Sequence, residues 1–133
     1  YSSNINKLSL FAFDRIVSVE NSHTEFIHNT EYDFNEYFDD MIGVTKPDGA
    51  GIEKVVLWVS TQRWPYVETK PLHGSQKVIS KDADGVLIQI EVYINRELEQ
   101  LILSFGKDIK VLEPIYLRDR IISHLNEGLQ NYK

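Results

Sequence analysis

The segment at residues 101–117, LILSFGKDIKVLEPIYL, constrains the fold most, because it holds the end of one helix, a short strand and the start of another helix. An apolar stripe at helical spacing begins at Leu98 and ends at Phe105. Gly106 follows at the position where a left-handed residue ends a helix. Four residues of strand character come next, and Pro114 stands at the start of a helix, where proline is tolerated. This punctuation predicts an α+β domain.

The residues before this segment extend the pattern to a β-α-β-β-α-β order. The predicted elements are a strand at 53–60, a helix at 61–70, strands at 74–81 and 86–94, a helix capped by Asn95, a strand at 109–112 and a final helix from Pro114. That order is typical of a ferredoxin-like antiparallel sheet with two helices on one face, here with a C-terminal helix added. Residues 8–20 alternate as a long strand, and residues 33–42 predict a short acidic helix.

Composition excludes several classes of site and partner. The chain has 14 Lys and Arg residues against 20 Asp and Glu residues, a net charge of −6, and its basic residues are scattered. A domain that grips duplex DNA through phosphates normally has a basic face. The lack of cysteine excludes disulfides and thiolate sites, and no apolar run is long enough to span a membrane. We therefore expect a cytoplasmic protein with no membrane partner.

Three segments in this order carry a resemblance to a known family: FAFDRIVSV at 11–19, PLHGSQ at 71–76 and ILSFGKDIKVLEPIYLRDRI at 102–121. Together they resemble the C-terminal half of WYL-domain proteins, which are bacterial transcription regulators. Such proteins carry a winged helix-turn-helix, then a β-rich WYL domain, then a C-terminal extension called WCX. The phrase Phe13-Asp14-Arg15-Ile16 looks like the late WYL strand, and the run from Gly106 looks like the end of the extension.

The resemblance implies a division of the chain. Residues 1–30 would be the last strand or strands of a truncated WYL domain, residues 31–51 a connecting acidic helix and loop, and residues 52–133 the WCX extension. The namesake Trp-Tyr-Leu motif is absent from the chain and is expected just upstream of Tyr1. The implied function is regulatory. The region would sense a ligand or mediate homodimerisation, and so set the affinity of an absent helix-turn-helix domain for duplex DNA.

Asp14 and Arg15 are the first candidate ligand-binding residues. In the family the corresponding arginine is thought to form a basic surface for a ligand, often single-stranded nucleic acid, so the resemblance implies such a strand or a small nucleotide as partner. The arginine fork suits this task because it binds phosphate with two hydrogen bonds and stacks on bases. The alternative is a local ion pair between Asp14 and Arg15, worth less than about 1 kcal/mol if exposed.

Four further residues are candidates for the same ligand. Arg63 and Trp64 form an aromatic–basic cluster that could stack bases, although a tryptophan at this spacing also fits a core position. His73 and Gln76 lie in the PLHGSQ segment, where the histidine suggests either hydrolase chemistry or a structural hydrogen bond. No nucleophile elbow or oxyanion hole accompanies His73, so the structural interpretation is favoured.

The sequence predicts no catalytic residue, no metal site and no cofactor, and we expect no enzyme activity. The second hypothesis is a self-standing ferredoxin-like module that binds a small metabolite between subunits. Such a module should carry a glycine-rich loop at the first strand-to-helix junction, and residues 60–63 contain no glycine. In the last helix, Arg118 and Arg120 either line its exposed side or contact a partner subunit.

Overall fold

A computed structural model of the chain describes residues 8–133. The chain divides into two compact units, Tyr1–Tyr32 and Asp33–Lys133. None of the helices within the described residues is both long and apolar enough to cross a membrane.

The described part of the first unit contains one 3-10 turn, at Phe13–Arg15, and is otherwise irregular. The long strand predicted at residues 8–20 is therefore wrong. Its alternating side chains are present but unburied: Phe13 is 92% exposed and Val17 is 100% exposed. Alternation predicts a strand only when a neighbouring strand accepts its backbone hydrogen bonds, and no strand of the described residues pairs with this segment.

The acidic helix predicted at residues 33–42 is also wrong, because the chain makes consecutive turns there. The carboxylate of Asp33 accepts hydrogen bonds from the backbone and side-chain N–H groups of Asn35, at 2.8 and 3.1 Å. This local pairing competes with helical hydrogen bonding. The N–H of Tyr37 donates to the carbonyl of Asp33 at 2.9 Å, while the N–H groups of Glu36, Asp39 and Met41 each donate to the carbonyl three residues earlier, as in turns.

The second unit confirms the predicted ferredoxin-like arrangement. Its elements are β1 (Ile52–Ser60), α1 (Trp64–Thr69), β2 (Lys77–Lys81), β3 (Gly85–Tyr93), α2 (Arg96–Ser104), β4 (Ile109–Glu113) and α3 (Ile115–Gln130). The four strands form one sheet in the order β2-β3-β1-β4, and each neighbouring pair is antiparallel. The two edge strands are therefore β2 and β4.

Local signals place most of these boundaries. Asn95 caps α2, since its side-chain oxygen accepts a hydrogen bond from the N–H of Leu98 at 2.9 Å. Gly106 adopts a φ of 56°, as the sequence predicts, and Pro114 is the N-cap of α3, one position before the first helical residue that the sequence predicts it to be. The α1 helix begins later than predicted, at Trp64, because residues 61–63 form a turn that precedes it.

The core lies between one face of the sheet and the three helices. Alternate residues of β1 and β3 are fully buried: Val55, Leu57, Val59, Val86, Ile88, Ile90 and Val92. Leu98 and Ile102 of α2, and Leu117 and Ile121 of α3, join the same cluster. This continuous apolar layer fixes the ends of the strands and helices, which carry the polar and exposed features described next.

Candidate functional site

The first predicted pair, Asp14 and Arg15, lies in the 3-10 turn of the first unit. Both residues are exposed, and the N–H of Arg15 donates to the carbonyl of Ala12 at 3.1 Å. Exposure leaves the arginine fork accessible to an anionic ligand. The ligand-binding role of the two residues stays a prediction.

Arg63 lies at the surface beside α1, and neighbouring side chains already engage its guanidinium. The group is 5.7 Å from the ring of Tyr66 and 5.8 Å from the ring of Phe105. Its Nε is 3.6 Å from the Asp108 carboxylate, and the hydroxyl of Ser60 donates to the same carboxylate at 2.9 Å. The cluster therefore ties the start of α1 to the segment before β4 and places a carboxylate beside the Arg63 guanidinium.

Trp64 is adjacent in sequence but lies in the core, with 5% of its surface exposed. The ammonium of Lys81 is 5.7 Å from its ring. Its indole N–H is buried and has no hydrogen-bond partner among the described residues. Such burial matches the core interpretation of Trp64, and it leaves the ring no open face for a nucleotide base in this conformation.

His73 and Gln76 both serve as structural connectors in the loop between α1 and β2. His73 Nε2 is 2.5 Å from the carbonyl oxygen of Asp39, and the N–H of Ser75 donates to His73 Nδ1 at 3.2 Å. Because a carbonyl oxygen only accepts, Nε2 donates to Asp39, and Nδ1 accepts from the N–H of Ser75. The side chain of Gln76 accepts from the N–H of Leu72 at 2.9 Å and donates to the carbonyl of Val67 at 3.3 Å.

His73 belongs to a larger set of contacts that hold residues 39–46, which we call the strap. Besides Asp39, the strap is fixed by a hydrogen bond from the N–H of Tyr93 to the carbonyl of Asp40 at 2.9 Å. Met41 is 6% exposed. The strap therefore runs along the end of β3 and the start of α2 as a docked segment and not as a free linker.

Asn95 and Glu97 make the central contacts of the strap. The side-chain amide of Asn95 donates to the carbonyls of Ile42 and Thr45, at 2.9 and 2.8 Å. Glu97 accepts from the hydroxyl of Thr45 at 2.5 Å and from the N–H of Val44 at 3.4 Å. Sequence reasoning found only the cap role of Asn95, because these partners are about fifty residues away in the chain.

The electrostatics of Glu97 follow from these contacts. Burial raises the pKa of Glu97, but hydrogen bonds from Thr45, from its own backbone and from the backbone of Val44 outweigh burial, so the net pKa lies below the usual value. The carboxylate therefore stays charged and holds the strap at neutral pH. Gly43 makes this approach possible, because it has a φ of 79° and a Cβ there would lie 2.5 Å from the Glu97 side chain.

The second distinctive surface is on α3, whose inner face is buried by Leu117 and Ile121. Its outward side carries five residues that we call the outer stripe: Ile115, Arg118, Ile122, Leu125 and Leu129. The four apolar members are 59%, 44%, 50% and 53% exposed. Sequence analysis singled out Arg118 but missed the stripe, although its spacing could have revealed it.

A groove of about 340 Å³ continues the outer stripe toward the edge strand β4. Ile109, Val111 and Leu112 line the strand side, and Arg118, Ile122 and Leu125 line the helix side, among others. The groove is thus mostly apolar, with two cationic side chains, Lys110 and Arg118, among its lining residues. Its composition suits an apolar helix or strand more than a charged small molecule.

The start of α3 is fastened to the sheet and to α2 by a polar network. The hydroxyl of Tyr116 donates to the carboxylate of Glu53 at 2.6 Å. Arg120 forms an ion pair with Glu99, and its guanidinium is 5.5 Å from the Tyr116 ring. His124 Nε2 lies 3.4 Å from the same Glu99 carboxylate. These contacts fix the rotation of α3, so the outer stripe keeps facing outward.

Tyr116→Phe is expected to destabilise the domain by about 1 kcal/mol at neutral pH, the usual value of one hydrogen bond. Burial and the hydrogen bond to Glu53 raise the pKa of Tyr116 from 10.0 to about 12. A raised phenol pKa contributes stability below the ordinary value, and that contribution is lost as pH rises from 10.0 to about 12. Urea denaturation of both proteins should therefore show a difference that shrinks across this range. A difference that is constant across the range would contradict the assignment.

Within residues 8–133, no group of three or more His, Asp or Glu side chains is arranged to hold a metal ion. At the junction between β1 and α1, the hydroxyl of Ser60 donates to the carboxylate of Asp108. Comparison with known families matched the model described as "WCX domain" to residues 52–129. A search of curated proteins returned no match.

Proposed function

The chain belongs to the WCX domain family, and we propose that it is the C-terminal regulatory region of a WYL-type transcription regulator. In this role it would sense a ligand or mediate dimerisation. Either event would change the affinity of a helix-turn-helix domain, outside this chain, for duplex DNA. The sequence resemblance in residues 11–19 extends the proposal to the last strand of a WYL domain.

The family match is the observation that carries the proposal. It begins at the first residue of β1 and ends in the last turn of α3, so it covers the entire sheet and all three helices. The WCX domain is the C-terminal extension of WYL-domain regulators. A regulatory C-terminal region is therefore the role that best fits these residues.

The first unit supports the same proposal, because its alternating apolar side chains are exposed. Phe11, Phe13, Val17 and Val19 alternate like a strand, and each is at least 74% exposed. Exposed apolar residues in such an arrangement favour addition to a β-sheet supplied by other residues. A terminal strand of a WYL domain is expected to require such a sheet. Without those other residues, the predicted strand is not formed here.

The strap supports a coupling role. Six residues, 33–38, separate it from the first unit in the chain, and it is held by β3, by α2 and by the loop that contains His73. A change in the segment before residue 39 would thus be transmitted to packed elements and not absorbed by a loose linker. Coupling between sites requires such a defined element whose arrangement both sites can bias.

Ligand binding through Arg15 is the testable part of the proposal. Fluorescence anisotropy with a labelled single-stranded oligonucleotide should show binding that weakens with salt, because phosphate contacts release counterions. Arg15→Ala should weaken binding roughly tenfold, since one charged phosphate contact is lost. A matched duplex should bind more weakly, because its paired and stacked bases are not free to stack on the arginine.

Arg96→Ala is the matched control, because Arg96 is an exposed arginine in the first turn of α2. It removes the same charge from the second unit and should leave oligonucleotide binding unchanged. Equal losses in the two variants would show a nonspecific charge effect. Tight binding of duplex DNA would overturn the proposed division of labour with a separate DNA-binding domain.

A further inference from the structure

We propose that α3 is a homodimerisation helix, whose outer stripe packs antiparallel against the outer stripe of a second copy of this chain. The inference rests on the dimerisation part of the proposed function and names the surface that performs it. It starts from the four exposed apolar side chains of the outer stripe, which have no covering element among the described residues.

The spacing of the outer stripe is that of a coiled-coil seam. Ile115, Ile122 and Leu129 are separated by seven residues, and Arg118 and Leu125 fall three residues after the first two. These are the a and d positions of a heptad repeat. At about 1.5 Å per residue the stripe is roughly 21 Å long, enough for about four turns of helix pairing. The buried residues Leu117 and Ile121 lie outside the a and d positions, so the inner face and the seam do not compete.

The antiparallel direction follows from Arg118. In a parallel pair each d residue meets its own copy, so two Arg118 side chains would meet in the seam. In an antiparallel pair centred between Ile122 and Leu125, each Ile122 meets Leu125 of the other copy and each Arg118 meets Leu129. The aliphatic stem of the arginine can cover Leu129 while its charged end reaches water. Only the antiparallel arrangement thus avoids two like charges in an apolar seam.

The two edge strands of the sheet differ in how readily they could associate with a second copy, and the difference favours the side of the molecule that carries β4 and α3. At the β2 edge, lysines stand at both ends of the strand and the register shifts between Val78 and Ser80. Terminal lysines and bulges are features that discourage association along an edge. The β4 edge instead borders the apolar groove that continues the outer stripe. A second α3 helix lying on the stripe would fill this groove.

A second copy fits this surface better than an unrelated helix. An isologous pair needs a patch that is complementary to itself about a two-fold axis. The outer stripe satisfies this requirement. In the antiparallel pair, Ile122 meets Leu125 of the other copy, and Leu129 meets the aliphatic stem of Arg118. The only charged position flanking the seam, Asp119, falls opposite the uncharged Asn126 in the same register.

Sedimentation velocity over a range of protein concentrations measures the dimer directly. The unmodified chain should show a monomer–dimer equilibrium. Ile122→Glu and Leu125→Glu should each raise the dimer dissociation constant by about 100-fold. Because the dimer is two-fold symmetric, each substitution places two carboxylates in the interface, one from each subunit. Ile79→Glu is the matched control, because Ile79 is 51% exposed on the β2 edge and should not affect the dimer. Circular dichroism should show folded protein for all three variants.

Disulfide trapping tests the direction of pairing with milder substitutions. The chain has no cysteine, so a cross-link reports only the introduced residues. A mixture of the Ile122→Cys and Leu125→Cys proteins should form a mixed disulfide dimer under oxidation faster than either protein alone. Faster cross-linking of each protein with itself would show parallel pairing and overturn the proposed arrangement.

The outcomes separate this inference from the proposed function. A dimer that survives both glutamate substitutions would place the interface elsewhere and overturn the role of α3, while dimerisation itself would stand. A dimer lost instead in a Phe11→Ser, Phe13→Ser double variant would assign assembly to the first unit and also overturn it. A chain that is monomeric at all concentrations would overturn both the α3 inference and the dimerisation part of the proposed function, and would leave ligand sensing to the oligonucleotide experiment.

Discussion

Asn95→Ala is expected to lower the free energy of unfolding by about 3 kcal/mol and to release the strap from α2. Asn95 is 4% exposed and makes three hydrogen bonds. The substitution removes the helix cap, which contributes about 1 kcal/mol. It also leaves the carbonyls of Ile42 and Thr45 without their donor, at about 1 kcal/mol each.

Chemical denaturation measures the total loss, and amide hydrogen exchange locates it. The amides of Val44 and Tyr93 should exchange faster, because both are bonded in contacts that dock the strap. Asn95→Ser is the matched control. A serine keeps a capping oxygen but is too short to reach both strap carbonyls, so it should recover the cap contribution and still loosen the strap. Full recovery of stability with serine would show that the strap contacts contribute nothing.

Gly85→Ala is expected to destabilise the domain by about 2–3 kcal/mol, the upper part of the usual range for adding atoms to a packed core. Gly85 is the buried first residue of β3 and pairs with Ser60. A Cβ there would lie 2.4 Å from the indole nitrogen of Trp58 and 2.5 Å from the carbonyl oxygen of Val59. Because one of these atoms belongs to the backbone, relief requires a shift of β1 and not only a side-chain rotation.

Gly128→Ala is the matched control for this substitution. Nothing lies within 4 Å of a Cβ at Gly128, and the residue is in α3, so alanine should be neutral or stabilising by up to about 1 kcal/mol. Thermal denaturation of both variants gives the comparison, and tryptophan fluorescence should change only for Gly85→Ala. Equal effects in the two variants would contradict the steric account.

Some candidate residues that the sequence grouped together lie in different environments in the structure. Arg63 and Trp64 are adjacent and formed one candidate site, yet the first is at the surface and the second is in the core. Residue type and spacing do not distinguish these outcomes, because they depend on where α1 meets the sheet. The same limit applies to His73, whose partner Asp39 is 34 residues away.

Sequence by itself determined the order of strands and helices in the second unit. The two-residue alternation of β3, the cap at Asn95, the left-handed Gly106 and Pro114 before α3 act over a few residues, so they can be recognised without the fold. Only the tertiary structure determined that the strap is docked, that the alternating segment near Phe13 forms no strand, and that the outer stripe faces outward. The physical reason is distance along the chain: the bond from Asn95 to Ile42 joins residues 53 positions apart, and a strand exists only where another strand accepts its hydrogen bonds.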